Sequence, residues 1–169
     1  MGGNVFSAPC EQVDETPQTT LTAATCYNSL YRHGLDPKRR LQLPSKWRSE
    51  AGGDVWTVVI WRQYNVGACL RVLPPSEWAR VRQSISSLPA GDPKKTALRH
   101  LIGSDSEQVS LDTAGRLLLP ERMAQEAGLD GEAVMVGLLD YFEIWNSERY
   151  QKVRIFQEMQ AQEAFKLMD

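Results

Sequence analysis

One stretch of this chain occurs twice, and that fact limits its possible folds more than any other. Leu35-Asp36-Pro37-Lys38-Arg39-Arg40-Leu41-Gln42-Leu43-Pro44 returns 76 residues later as Leu111-Asp112-Thr113-Ala114-Gly115-Arg116-Leu117-Leu118-Leu119-Pro120, with Leu, Asp, Arg, Leu, Leu and Pro coinciding. Ala51-Gly52 then falls on Ala127-Gly128 at the same offset. Further on, Leu70-Arg71-Val72-Leu73 parallels Phe142-Glu143-Ile144-Trp145 at an offset of 72, so the first copy holds four extra residues. A hairpin loop around Gln63 to Gly67 is the expected place for them. Self-similarity of this kind means one supersecondary unit used twice, neither copy able to bury its apolar face alone.

Both copies share one grammar. An extended segment enters a tight Asp-x-x-x-Arg turn, and a short strand follows, Leu41-Gln42-Leu43 or Leu117-Leu118-Leu119. Proline then opens a helix of about two turns, since the missing N–H is not needed there. Gly52 or Gly128 closes it, glycine suiting the left-handed C-terminal position. A β-rich run comes next, Val55 to Trp61 or Ala133 to Val136, then a second strand, Leu70 to Leu73 or Phe142 to Trp145. An amphipathic helix ends each copy, with Ser76 or Ser147 as the expected cap. Its apolar positions are Trp78, Val81, Ile85 and Leu88 in the first copy and Tyr150, Val153, Phe156 and Met159 in the second. Ala90-Gly91-Asp92-Pro93 breaks the first of these helices, and another short one is expected over 94–102.

Composition removes several function classes. No window approaches the ~18 consecutive apolar residues of a membrane span. No basic residue precedes Arg32 and no continuous apolar core lies before it, so a secretory signal is not expected. Cys10, Cys26 and Cys69 form no C-x-x-C pair, and Cys69 in an apolar run reads as a buried small hydrophobe. A reducing, cytoplasmic compartment is the simplest expectation. His33 and His100 are the only histidines, without zinc spacing, and there is no nucleophile elbow, so no catalytic residue, metal or cofactor is expected. His33 reads as a solvated loop histidine beside a basic strip. The aromatic residues Trp56, Trp61, Trp78, Tyr141, Phe142, Trp145 and Tyr150 sit in strand or helix patterns and read as core or subunit interface.

The repeats resemble the MraZ family, within the AbrB/MazE-like swapped-hairpin superfamily. The text that carries the resemblance is Asp112 to Pro120, Ala127-Gly128-Leu129, Val134-Met135-Val136-Gly137 and Phe142-Glu143-Ile144-Trp145, with Leu98 to Gly103 like the family's inter-repeat region. The likeness extends from about Tyr27 to about Lys152. It implies an α+β fold: two tandem AbrB-like swapped-hairpin repeats forming a pseudo-symmetric β-rich unit with flanking helices. Residues 1–26, rich in Thr and Ala, are then a flexible N-terminal extension. Residues 27–103 are the first SpoVT-AbrB-like repeat with inter-repeat helices, and 104–169 the second with a C-terminal helix.

The resemblance further implies a cytoplasmic, nucleoid-associated transcription regulator without enzymatic activity. Its partners would be promoter DNA and copies of itself, in a ring of eight or more, with no membrane involved. The DNA would be direct repeats upstream of the division and cell-wall gene cluster. An oligomeric scaffold of antitoxin type is the competing expectation, favoured by the chain's net charge of −2.

The charge distribution locates the DNA face. From Leu30 to Glu50, Arg32, Lys38, Arg39, Arg40, Lys46 and Arg48 stand against Asp36 and Glu50, a net of +4. From Ser110 to Asp130, Arg116 and Arg122 stand against four acidic residues, a net of −2. Basic side chains near phosphates release counterions, and arginine forks read guanine edges. Asp36 with Arg40, and Asp112 with Arg116, are either recognition elements or structural pairs fixing the turn. A carboxylate does not attract phosphate, so the aspartates are expected to orient and the arginines to contact, with Arg116 the more structural. Gly115 precedes the motif arginine in the second copy, but Arg39 holds that place in the first. If the turn needs positive φ, Arg39 costs about 1 kcal/mol there, and a phosphate contact is one candidate compensation.

Overall fold

Long β-branched runs with apolar residues on both sides belong in the middle of a sheet covered on both faces. A computed structural model describes residues 24–49, 52–63 and 65–168. It places the run Val55–Gln63 inside such a sheet, as β3, with five consecutive buried residues. In chain order the strands are β1 (Leu30–Gly34), β2 (Arg40–Gln42), β3, β4 (Gly67–Leu73), β5 (Ser106–Ser110), β6 (Arg116–Leu118), β7 (Glu132–Gly137) and β8 (Phe142–Asn146). The helices are α1 (Pro75–Ser86), α2 (Pro93–Ser104), α3 (Glu121–Glu126) and α4 (Ser147–Phe165). Six strands form one antiparallel sheet in the order β1-β7-β8-β4-β3-β5, and β2 pairs with β6 in a separate ribbon. The fold is mixed α+β.

Apart from the β3–β4 and β7–β8 hairpins, every strand pairing crosses between the two copies. β1 lies on β7, β5 on β3, β2 on β6 and β4 on β8. Side chains alternate along each strand, so successive residues serve two faces. Trp56, Val58 and Ile60 enter the principal core, where Leu41, Leu43, Leu117 and Leu119 of the ribbon segment meet them. Cys69, Val134 and Trp145 face the other way and meet Val153 of α4. Cys69 is fully buried, which pushes its thiol pKa well up, as expected for an inert hydrophobe.

Three local expectations are corrected. The first copy has no two-turn helix after Pro44: a single 3-10 turn spans Ser45–Trp47 and the chain is extended again at Arg48. Trp47 occupies the position of Met123 in α3, and its indole drops into the core, 1% exposed, with Nε1 donating to the Asn28 carbonyl at 3.1 Å. In the second copy the buried residues at this place are Met123 and Ala124 of α3. The four extra residues do not lengthen a loop. They lengthen the hairpin arms, giving seven paired rungs between β3 and β4 against five between β7 and β8. Finally, Ser76 and Ser147 are not caps. Pro74 precedes α1 without a side-chain cap, and Asn146 caps α4 by accepting from the N–H groups of Glu148 and Arg149. The expectation for residues 1–26 lies outside the described residues except at 24–26.

An acidic clasp ties the copies together at the end of α2. Asp105 is buried, and Arg62 of β3 and Arg122 of α3 both donate to its carboxylate, the latter at 2.9 Å. Burial raises the carboxyl pKa, but the two guanidinium hydrogen bonds outweigh it and hold the group below the usual carboxylate range.

Gly137 marks the tightest backbone approach. A Cβ there would collide with the Tyr27 carbonyl and stand 2.6 Å from the Asn28 nitrogen. Neither is the end of a flexible side chain, and Tyr27 is held by reciprocal hydrogen bonds with Leu139 at 2.8 Å. Gly137→Ala is therefore expected to destabilise by about 1–3 kcal/mol, lowering Tm by roughly 3–10 °C. A melting curve that superimposes on wild type would remove this explanation of the glycine.

Candidate nucleic-acid interface

The two Asp-x-x-x-Arg turns have the same construction. In the first, Asp36 Oδ1 accepts the N–H groups of Lys38 at 2.9 Å and Arg40 at 2.8 Å, while Oδ2 accepts Arg40 Nε at 2.6 Å. In the second, Asp112 Oδ1 accepts Ala114 and Arg116 N–H at 2.9 Å, and Oδ2 accepts Arg116 Nε at 2.9 Å. The N–H before each motif arginine closes the turn onto the aspartate carbonyl, from Arg39 at 2.8 Å and Gly115 at 3.0 Å. Both residues adopt left-handed backbone, φ +60° at Arg39 and +76° at Gly115.

These bonds explain the carboxylate chemistry. The Arg40 N–H, then its guanidinium, hold the Asp36 carboxyl below its ordinary pKa, and the Arg116 N–H and guanidinium do the same for Asp112. A depressed folded-state pKa gives stability that is fully present above the unfolded value, about 4, and lost as pH falls through the folded value. Wild-type Tm should fall as pH drops below about 4, and Asp36→Asn with Asp112→Asn should flatten that limb while keeping the amide oxygen as acceptor. Thermal melts from pH 6 to pH 2.5 decide it: an unchanged acid limb in the double variant places the titration elsewhere.

The ribbon brings the two turns into one surface. Arg40 faces Leu118, Leu41 faces Leu117, and Gln42 faces Arg116. Leu41 and Leu117 are 1% exposed and point into the core, so Arg40, Gln42, Arg116 and Leu118 share the outer face. Leu119 N–H donates to the Arg39 carbonyl, and Leu43 N–H to the Gly115 carbonyl, the same bond about a pseudo-twofold axis. Arg40 and Arg116 are diagonal neighbours on that face, with Cβ atoms about 7 Å apart in standard ladder geometry. Each spends Nε on its aspartate and is about one third exposed. No hydrogen bond engages their Nη nitrogens among the described residues.

The other basic candidates divide into two groups. Lys38 and Lys46 are exposed. Arg32 Nη1 lies 3.3 Å from Glu132 and donates to the Ser147 hydroxyl at 2.9 Å. Arg39 Nε donates to the Leu119 carbonyl at 3.3 Å. Arg48 lies across Gly115, where a Cβ would collide with its guanidinium, and its Nε is buried without a hydrogen-bond partner among the described residues. Gln42 is the site residue the sequence concealed: its Nε2 donates to the carbonyls of Ala114 and Gly115 at 3.2 and 3.1 Å, tying the first strand to the second turn. Its counterpart, Leu118, carries no such signal.

The aromatic residues of the strand and helix patterns sort by depth. Trp56, Phe142 and Trp145 are buried, while Trp61, Trp78, Tyr141 and Tyr150 are half-buried. Among the described residues no cluster of three or more His, Cys, Asp and Glu side chains is arranged to hold a metal, and no helix is long and apolar enough to cross a membrane.

Comparison with known proteins bears on the whole unit. The family model described as "MraZ protein, putative antitoxin-like" matches residues 103–168. The transcriptional regulator MraZ of Roseiflexus castenholzii is 35% identical over 123 residues, covering 73% of this chain and 82% of that protein. The protein of the same name from Thermomicrobium roseum is 33% identical over 120 residues, 71% of this chain and 81% of its own length. That of Pediococcus pentosaceus is 34% identical over 122 residues, 72% and 82% respectively.

Proposed function

The chain belongs to the MraZ family, and from that premise we propose that it is a transcription regulator that binds DNA through the β2–β6 ribbon. One observation carries the reading: both motif arginines are aimed from one outer face by identical aspartate-braced turns. Pinning Nε on a carboxylate removes rotamer freedom and leaves the Nη edge free to meet a phosphate or a base. Arg40 and Arg116 are the central contacts. Lys38 and Lys46 add flanking charge, and Arg32, Arg39 and Arg48 shape the surface from behind. Asp36, Asp112 and Gly115 keep the turns in form.

The finer organisation follows the same reading. The cross-copy pairing supports two intertwined hairpin repeats of AbrB type, 27–103 and 104–169, after an N-terminal extension over 1–26. Several such units join in a ring of eight or more. The ring engages direct repeats in promoter DNA upstream of the division and cell-wall gene cluster, in the cytoplasm at the nucleoid. The chemistry is binding alone, with no catalytic residue, metal or cofactor. A weak patch repeated around a ring gains avidity when the boxes recur in register, which is how a chain of net charge −2 holds a polyanion. The antitoxin-like scaffold is the second reading, and the exposed apolar side of α4 favours it.

A gel shift with the chain's own upstream DNA tests the proposal. Retardation should occur with that DNA at low salt, resist unrelated competitor, and weaken steeply as salt rises. Equal retardation of unrelated DNA, or none at low salt, overturns it.

A further inference from the structure

α4 is a 19-residue helix with one buried residue, Val153. Beyond that anchor, Ile155, Phe156, Met159 and Phe165 are 59–66% exposed. Their spacing places Ile155, Phe156 and Met159 on one side of the helix. Six of the large apolar side chains exposed among the described residues belong to α4 or the two residues just past its C-cap. An exposed apolar concentration of this kind marks an interaction surface.

A second unfinished surface lies elsewhere on the same chain. Neither α1 nor α2 has a buried residue. Leu98 and Leu101 of α2 are 38% and 55% exposed, and with Ile60, Trp61 and Ile102 they line an apolar groove between α2 and β3. α4 packs on β7 and β8, whereas the groove lies along β3, with β4 between β8 and β3 and Trp61 reaching toward the cluster that holds Val153. The charges of the two surfaces are complementary. Pro75 to Ser104 carries five basic against two acidic side chains, a net of +3, with Arg82, Lys94 and Arg99 exposed. Ile155 to Asp169 carries three acidic against one basic, a net of −2.

We propose that the C-terminal half of α4 docks into the α2–β3 groove of a second copy of this chain. Apolar residues three and four apart are the anchors of a helix laid in a groove, and the surrounding charges orient it. Each copy then offers one helix and one groove. The contact joins unlike surfaces and repeats from copy to copy, the arrangement that closes into a ring. The inference rests on the assembly part of the proposed function and names the surfaces that carry it.

Two surface variants separate the possibilities. Phe156→Asp with Met159→Asp spoils the helix, and Leu98→Asp with Leu101→Asp spoils the groove. All four positions are exposed, so circular dichroism and Tm should stay near wild type. Light scattering at micromolar concentration should show an oligomer for wild type and a monomer for each variant. An equimolar mixture of the two should form a dimer of one chain each, because one good helix still meets one good groove. A groove variant that assembles like wild type, or a mixture that stays monomeric, overturns the inference. A monomeric wild type overturns the ring reading as well. Crosslinking checks the contact without charged substitutions, in a background of Cys10→Ser and Cys26→Ser. Chains with Met159→Cys and chains with Leu101→Cys should crosslink to each other, and crosslinks only between like chains overturn it.

Discussion

The double variant Arg40→Ala, Arg116→Ala is expected to lose at least a hundredfold in affinity for its DNA while keeping its fold and assembly. Each arginine contact with a base edge or phosphate is worth about 1–3 kcal/mol. Both lie on one ribbon face, so removing them takes about 2–6 kcal/mol from every engaged unit. The salt dependence should fall by roughly one counterion for each phosphate interaction removed. The turns should survive, because each aspartate still accepts two backbone N–H groups. Arg39→Ala is the informative contrast. Arg39 lines a hollow with Glu107, Gln108 and Pro120, where an acidic neighbour opposes a phosphate, so its loss should affect DNA binding far less. An intact double variant, by size exclusion and melting, that binds as wild type does would move the interface off the ribbon.

Trp47→Ala should be more damaging to the core than Gly137→Ala, at about 3–5 kcal/mol, or roughly 10 °C or more in Tm. The indole is 1% exposed and its ring centre lies 4.8 Å from Phe142, 5.2 Å from Tyr31 and 5.9 Å from Tyr27. Truncation opens a cavity lined by these three rings and leaves the Asn28 carbonyl without its donor. Trp47→Met, borrowing the residue at position 123 of the other copy, should recover part of the loss. Denaturant titration measures both, and a cost below about 1 kcal/mol for the alanine variant would show that the site collapses around the gap.

The same tryptophan shows where sequence reading stops. The repeat is legible because Leu, Asp, Arg, Leu, Leu and Pro recur at fixed spacing, and the strands because β-branched runs mark them. The need for positive φ before each motif arginine is legible at Gly115 and extends to Arg39. Trp47 is hidden among basic residues, Lys46 and Arg48 on either side, where a surface helix is the natural reading. Depth there depends on what the facing copy leaves open, which no local pattern records. The same applies to Asp105, an acidic residue after a helix in the sequence and a buried clasp for two arginines in the fold. The local acidity around Arg116 suggests a lesser role than that of Arg40, while the two guanidinium groups share the same aspartate brace and similar exposure. Charge counts along the chain miss this because the ribbon takes one strand from each copy.

Pairing across the copies also sets a schedule for synthesis. Arg32 meets Glu132 across β1 and β7, 100 residues apart in sequence. When the ribosome has delivered the chain as far as α2, β1 has no neighbour and β3 has one bare edge where β5 will lie. Long-range pairing of this kind makes for slow folding and leaves strand edges open to the wrong partner. The nascent first half therefore leaves these edges unpaired until the second copy emerges. A message truncated between the copies should yield an aggregating product rather than half a regulator.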